Sequence, residues 1–308
     1  MVFIVYHVVM SEPEQKEQKR NRVSFSQYST FLKCPHKWYL DYIKNLRVRD
    51  DNINTAFGTS IHHVFQAYLT ALYKESVAAA DALDTKKMFY DKFKEETDKI
   101  RKAGGELTDD EYAEFGYDGE DIIAAFLKTS NRTKHFPAKD YELVGIELPL
   151  EISIKNNVDF IGFIDVVLKE RNKEKYRIID IKTSSNGWNK YQKEDESKYA
   201  QLHLYKSVYS KKFGVPLDAI DVEFFIVKRK LYEQATFPQS RIQLFIPPHG
   251  TAHIKESINN FIGFLDHGFN QDGSYNEANE YPKIPGKAKK NCKYCVHYKK
   301  TCDAKESK

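Results

Sequence analysis

The sequence predicts an α/β domain in which a mixed central sheet is flanked by helices, and three observations carry that reading. Apolar residues recur at helical spacing up to about residue 136, β-branched alternating runs replace them after Pro137, and helical period returns near Ser197 before one more strand-like run. The chain has 308 residues, of which 41% are hydrophobic, enough for a substantial core in one large domain or two small ones.

The opening MVFIVYHVVM is apolar, but about ten residues cannot span a bilayer, and it lacks the basic leader and small-residue cleavage site of a secretory signal. The polar run SEPEQKEQKRNR follows. Residues 1–22 therefore read as a flexible arm with Met10 as an alternative start, residues 23–308 as one domain, and the protein as cytoplasmic with no membrane partner. From Ser24, SFSQYSTFLKCPHKWYLDYI shows helical spacing with Ser26 as a candidate cap and Pro35 as an interruption, which predicts two short helices around Cys34.

In AFGTSIHHVFQAYLTALYK a break at Gly58 and a Thr59 or Ser60 cap predict a helix with Ile61, Val64, Phe65, Tyr68 and Leu72 on its apolar side and His62 in its first turn. Residues 76–136 read as a helical insertion of two or three segments, broken at Ala103-Gly104-Gly105. YELVGIELPLEISI, VDFIGFIDVVLKE and KYRIIDIKTSS then predict three successive antiparallel strands. SKYAQLHLYKSVYSKKF predicts a helix, AIDVEFFIVKRK a strand, and TAHIKESINNFIGFLDHGF, after a looser stretch to about residue 250, a last helix before a basic tail. No internal repeat is present, nor a G-x-x-x-x-G-K phosphate loop, so no ATP site is expected in this chain.

Lys and Arg number 48 against 44 Asp and Glu, and a formal charge of +4 is too weak to identify nucleic acid as a partner. The chemistry must come from particular residues. Asp165 and Asp180 sit inside runs that read as buried strand, where a carboxylate is costly unless paired or bound to a cation. Asp180 and Lys182 are two apart and leave the same strand face, which Asp165 can reach from the neighbouring strand. Two carboxylates beside an ammonium suit Mg²⁺ or Mn²⁺ and the hydrolysis of a phosphodiester, with Lys182 placed to position water or stabilise the transition state. D/E-x-K alone says little, since Glu14-Gln-Lys16 and Glu196-Ser-Lys198 match it in polar surroundings, and a structural ion pair is the competing reading.

Ile164-Asp165 followed by Asp180-Ile181-Lys182 on adjacent strands resembles the PD-(D/E)xK nuclease superfamily. Gly58, Thr59 and His62 as G-T-x-x-H before the strands, and Gln201 and Tyr205 as Q-x-x-x-Y after them, are similar to its RecB-like branch. Ile164 stands where the superfamily's name has proline, a substitution common in that branch. The resemblance implies a restriction-endonuclease-like core, Mg²⁺ or Mn²⁺ held by His62, Asp165, Asp180 and the Ile181 carbonyl, and catalysis by Asp165, Asp180, Lys182, Gln201 and Tyr205. His63 competes with His62, and Glu147 is a further acidic candidate against Glu142 and Glu151.

Cys292, Cys295 and Cys302 form C-x₂-C-x₆-C near the C-terminus, with Cys34 far upstream. In a reducing compartment such a set points to metal rather than disulfides. One distant cysteine plus a compact three resembles the iron–sulfur members of the RecB-like branch, the AddB-type and CRISPR-adaptation exonucleases. The resemblance implies a [4Fe-4S] cluster that clasps residue 34 to residues 292–302 and serves folding. Zn²⁺ is the alternative occupant, with His36 and His297 as alternative ligands. Among the tail lysines, Lys289, Lys290 and Lys293 with Tyr294 suit contact to a DNA backbone, against the plainer reading of a solvated basic tail. The whole implies a metal-dependent deoxyribonuclease, in the first place an exonuclease, with room for a helicase or recombinase partner. An endonuclease on the same fold and a non-catalytic DNA-binding scaffold are the rival expectations.

Overall fold

The structure, a computed structural model, describes residues 21–48, 51–232 and 234–303. The expected arm up to residue 20, Met10 included, lies outside the described residues. Its last two residues do not: Asn21 and Arg22 open strand β1 (Asn21–Ser24), which leads straight into helix α1 (Phe25–Lys33). Ser24, rather than Ser26, is the cap, its hydroxyl accepting the Gln27 N–H at 3.4 Å. Cys34 separates α1 from α2 (Pro35–Trp38), which widens into a π-helical turn over Tyr39–Ile43. Pro35 takes the first helical position, where no backbone N–H is needed.

Helix α3 (Ile53–Lys74) starts earlier than its apolar spacing predicts, because Asn52 and Thr55 form a reciprocal capping box. Gly58 is therefore inside the helix, and His62 lies well beyond the first turn. Helices α4 (Val77–Asp81), α5 (Thr85–Lys102), α6 (Asp109–Leu127) and α7 (Thr129–His135) occupy the stretch expected to be helical. Strands β2 (Tyr141–Lys155), β3 (Val158–Glu170) and β4 (Tyr176–Ser184) pair antiparallel in succession, as their alternation predicts. After α8 (Lys190–Lys193) and α9 (Glu196–Phe213), strand β5 (Ile220–Lys228) returns parallel to β4, and β6 (Ile242–Phe245) pairs antiparallel with β5. Helix α10 (Thr251–Gly268) follows. β1 and β6 were not expected, since four residues give too little alternation to register as a strand.

The sheet is thus mixed, as predicted, and each face carries its own apolar layer. On one face α1, α9 and α10 pack with Trp38 against Val167, Ile178 and Phe224; on the other α3, α5 and α6 pack against Val166, Ile179 and Ile181. β4 alternates strictly between the two, Ile178 to the first layer and Ile179 and Ile181 to the second. Trp38 also joins the α2 segment to α10 and the stretch that follows it. It is fully buried against Phe264, Phe269 and Tyr281, and a Cβ on Gly268 would stand 2.9 Å from its ring. Among the described residues no helix is long and apolar enough to cross a membrane.

Candidate active site

Strand β3 has three neighbours, and the way they divide its edges makes the site. β2 runs along the whole of one edge; the other is shared by β1, over Val158–Ile161, and β4, over Val166–Lys169. Residues 162–165 face the fork between them with no strand partner on that side. The side chain of Asp165 takes over where the ladder stops, accepting the Ile181 N–H at 2.6 Å. A buried backbone donator is satisfied in this way without closing the fork. The resulting cleft of about 600 Å³ is walled by Ser26, Thr30 and Lys33 of α1 on one side and by Gln201 and Tyr205 of α9 on the other.

Asp180 and Lys182 leave β4 on one face, as their spacing predicts. Lys182 Nζ lies 2.7 Å from Asp180 Oδ2 and donates to Gln201 Oε1 at 3.0 Å. Gln201 Nε2 in turn donates to the Tyr205 hydroxyl oxygen at 3.1 Å, one helical turn on. Tyr205 can lie across β3 because Gly162 has no side chain: a Cβ there would meet its ring at 2.9 Å. Asp180 is only 2% exposed, and although the ammonium is close to its Oδ2, the approach is not directed as a hydrogen bond, so that oxygen has no hydrogen-bond partner. The Lys182 ammonium beside it is the cation that offsets the burial of this carboxylate.

His62 reaches the cleft from α3, its Nδ1 3.8 Å from Asp165 Oδ1, whereas His63 beside it is exposed. Gly58, one turn earlier, is what allows α3 this close, since a Cβ would stand 3.1 Å from Thr183 Oγ1 on β4. The β2–β3 register sets Glu147 opposite Asp165, and its backbone is held in the left-handed region at φ 48°. Strained non-glycine residues gather at sites where the strain aims a side chain. Here His62, Glu147 and Asp165 present ligand atoms all within 4.8 Å of one another. The rivals to Glu147 are turned elsewhere, Glu142 towards Arg171 at 4.0 Å and Glu151 to Arg22 at 2.8 Å. Gln66, one turn beyond His62 on α3, donates to the Glu147 carboxylate. Sequence reasoning missed Gln66, although its i,i+4 spacing from His62 was a usable signal. Asp180 is not one of the close trio; it stands next to it, drawn to Lys182.

Burial dominates the electrostatics of these groups. Burial, and then the Asp180 charge, push the Asp165 carboxyl well above the usual carboxylate range, against the opposing pull of Lys182 and the Ile181 N–H. Burial lowers the His62 imidazole, which Asp180 and the Ile181 backbone only partly offset, so its approach to Asp165 is that of a neutral ring. Burial, followed by Asp180, also raises the Tyr205 phenol.

The four cysteines line a single small cavity with His36 and His297. Burial, and then Cys295, Cys302 and Cys34, raise the Cys292 thiol. His36 N–H donates to the Pro282 carbonyl at 3.2 Å, Asn291 Nδ2 to the Lys33 carbonyl at 3.2 Å, and a buried Asp41–His297 pair closes at 2.7 Å. These bonds bring segments some 250 residues apart in sequence against each other. Of the tail residues expected at a nucleic acid, Lys290 borders a depression next to the cleft, Tyr294 is exposed with Lys293 over its ring, and Lys289 is turned to Tyr298.

The family model for the PD-(D/E)XK nuclease superfamily matches residues 22–303. No curated protein matches the chain. Among solved structures it is similar, at 13% identity and a TM-score of 0.44, to a protein from Eubacterium rectale named as a presumptive exonuclease, the match covering 81% of this chain and 82% of that one.

Proposed function

The chain belongs to the PD-(D/E)XK nuclease superfamily, and on that premise we propose that it is a Mg²⁺- or Mn²⁺-dependent DNA exonuclease of the RecB-like branch. The observation that carries the reading is the convergence of His62, Glu147 and Asp165 within 4.8 Å beside the buried Asp180–Lys182 pair. The donor set fits a hard divalent cation: the Glu147 and Asp165 carboxylates and the His62 imidazole, with the Asp180 carboxylate, paired to Lys182, beside them. His62, Glu147, Asp165, Asp180 and the Ile181 carbonyl would hold it. When bound, such an ion supplies charge neutralisation at the phosphoryl oxygens and a water of lowered pKa.

The rest of the chemistry belongs to the chain. Lys182, fixed between Asp180 and Gln201, presents an ammonium to a phosphate seated in the cleft and stabilises the charge that builds there. Gln201 sets the direction of that ammonium. Tyr205, whose oxygen accepts from Gln201, keeps its own O–H to donate to a phosphate oxygen. Lys289, Lys290, Lys293 and Tyr294 serve as DNA contacts on this reading, and a helicase or recombinase in the cytoplasm is the partner that would present opened ends.

For the cysteines we propose a [4Fe-4S] cluster held by Cys34, Cys292, Cys295 and Cys302. What supports the cluster is that all four cysteines line one cavity and that one distant cysteine joins a compact C-x₂-C-x₆-C set. Iron and zinc content with the visible spectrum of anaerobically purified protein tests this: zinc without iron overturns it.

The activity is tested with end-labelled single- and double-stranded DNA, each incubated with Mg²⁺ or Mn²⁺ beside a closed circle. Shortening from an end with the circle intact supports the exonuclease. Cut circles support an endonuclease on the same site, and no cleavage of any of them leaves a DNA-binding scaffold.

A further inference from the structure

Helix α9 carries two groups of the proposed chemistry, Gln201 and Tyr205, yet its apolar residues do not settle how it is turned. Ala200, Leu202, Leu204, Tyr205, Val208 and Tyr209 are buried around more than half of its circumference, and the remaining side is closed by two buried polar side chains, His203 and Lys206. A helix buried on one stripe has a preferred rotation, whereas one buried all round gains nearly as much after a small turn or slide. Directional bonds must then set its register.

His203 is 1% exposed, and both of its ring nitrogens are engaged. Nε2 lies 2.9 Å from the Pro248 carbonyl oxygen and Nδ1 2.7 Å from Ser257 Oγ on α10. Burial pushes the imidazole down to about 4 against the pull of the Pro248 carbonyl, helped by His253, His249 and Lys206, so the ring is neutral. A carbonyl only accepts; Nε2 therefore carries the one ring proton, and Nδ1 accepts from the Ser257 hydroxyl. Lys206, three residues on along the same side, donates to the next carbonyl, that of His249, at 3.2 Å. Two consecutive carbonyls of one loop are thus claimed by one side of α9. Sliding or turning the helix would strand these buried donors, which costs more than the apolar contacts it exchanges. Ser29 and Asn260 also bond to α9, but at Ser197 and Glu196 in its first turn, ahead of Gln201.

On a helix His203 stands nearly opposite both Gln201 and Tyr205, two residues to either side, so any rotation it permits swings both groups within the cleft. We infer that His203 is a positioning residue for cleavage: held by Pro248 and Ser257, it fixes the rotation and height of α9, and so sets where Gln201 holds the Lys182 ammonium and where the Tyr205 hydroxyl points. The inference rests on the nuclease reading and adds to it a residue outside the walls of the cleft.

Steady-state cleavage of end-labelled DNA with Mn²⁺, expressed per folded molecule of the full chain, tests this. His203→Phe keeps a ring and removes both bonds, and kcat should fall by about 10- to 100-fold. KM and the Mn²⁺ needed for half-maximal rate should stay within about 2-fold, because His62, Glu147 and Asp165 stand on other elements. His203→Gln places an amide N–H where Nε2–H was, to donate to Pro248, and should recover most of the loss. Ser257→Ala removes a single bond and, should His203→Phe not fold, carries the test with a fall in kcat of about 2- to 10-fold. A histidine that only fills the core would lower the melting temperature and leave kcat of the folded fraction at the parent value. That result overturns the inference, as does a loss of metal affinity that matches the loss of rate, or a His203→Gln variant no better than His203→Phe. Each of these leaves metal-dependent cleavage by the unaltered chain standing, whereas no cleavage by the unaltered chain removes the nuclease reading itself.

Discussion

The carboxylate site and the cysteine site are assembled in opposite ways. Every catalytic candidate sits on a regular element, β2, β3, β4, α3 or α9, between two apolar layers, and most polar atoms there already have protein partners. The cysteines sit in turns: Cys34 breaks two helices, and the other three lie in a run of tight turns with only an isolated bridge between Tyr298 and Cys302. The first site is preorganised by the fold and asks only for its ion. On the proposed reading the second would be shaped by its cluster, although Trp38 with Tyr281 and the Asp41–His297 pair already hold the two segments together. Loss of a ligand should therefore cost chemistry in one place and stability in the other.

The sharpest test of that contrast is Asp180→Asn. It keeps the shape and leaves Lys182 its bond to Gln201, so cleavage of end-labelled DNA should fall by about 10³-fold while the melting temperature stays near the parent value. A large drop in melting temperature would show the acid to be structural instead. Cys295→Ala should do the reverse. It removes about 3–5 kcal/mol of metal-linked stability, lowering the melting temperature by about 10 °C, and spares the rate per folded molecule. Calorimetry with an assay on the folded fraction would separate the two, and an unchanged melting profile would mean that the clasp contributes nothing to folding.

Smaller effects refine the picture of the carboxylate site. Gln66→Ala frees Glu147 from its donor, and about 10-fold more Mn²⁺ should then be needed for half-maximal cleavage, with stability unaltered. An unchanged metal titration would take Glu147 out of the site. The least effect is expected from Gly58→Ala, where helix propensity favours alanine by about 1 kcal/mol but its Cβ would press Thr183 Oγ1 from 3.1 Å. Stability should move by no more than about 1 kcal/mol while cleavage drops a few-fold, as α3 and with it His62 back away from β4. Equal activity would show that the helix has slack.

Legibility in the sequence followed the range of the interactions. Asp180 and Lys182 were legible because strand period is local, and Gln201 with Tyr205 because one helical turn is local. The choice of Glu147 over Glu142 and Glu151 was not, since it depends on the pairing register of β2 with β3 and on a left-handed backbone at Glu147. Nor was Gln66, whose partner lies 81 residues away. The helix starts failed for a different reason: apolar spacing marks where α3 meets the core, whereas Asn52 and Thr55 start it in a stretch with no apolar face to read.

By itself the sequence determined the class of fold, the three antiparallel strands, the acidic and basic residues of one strand face, and the four cysteines with their uneven spacing. Each is a matter of period or identity, fixed by residues within a few positions of one another. The tertiary structure decided that β1 and β4 share one edge of β3, and so opened the fork in which Asp165 satisfies Ile181. It also decided that α1 walls the cleft and that Lys33, next to Cys34, joins it to a second depression. These depend on which distant segments claim a given strand edge or helix face, and that competition is settled by the burial of the whole chain.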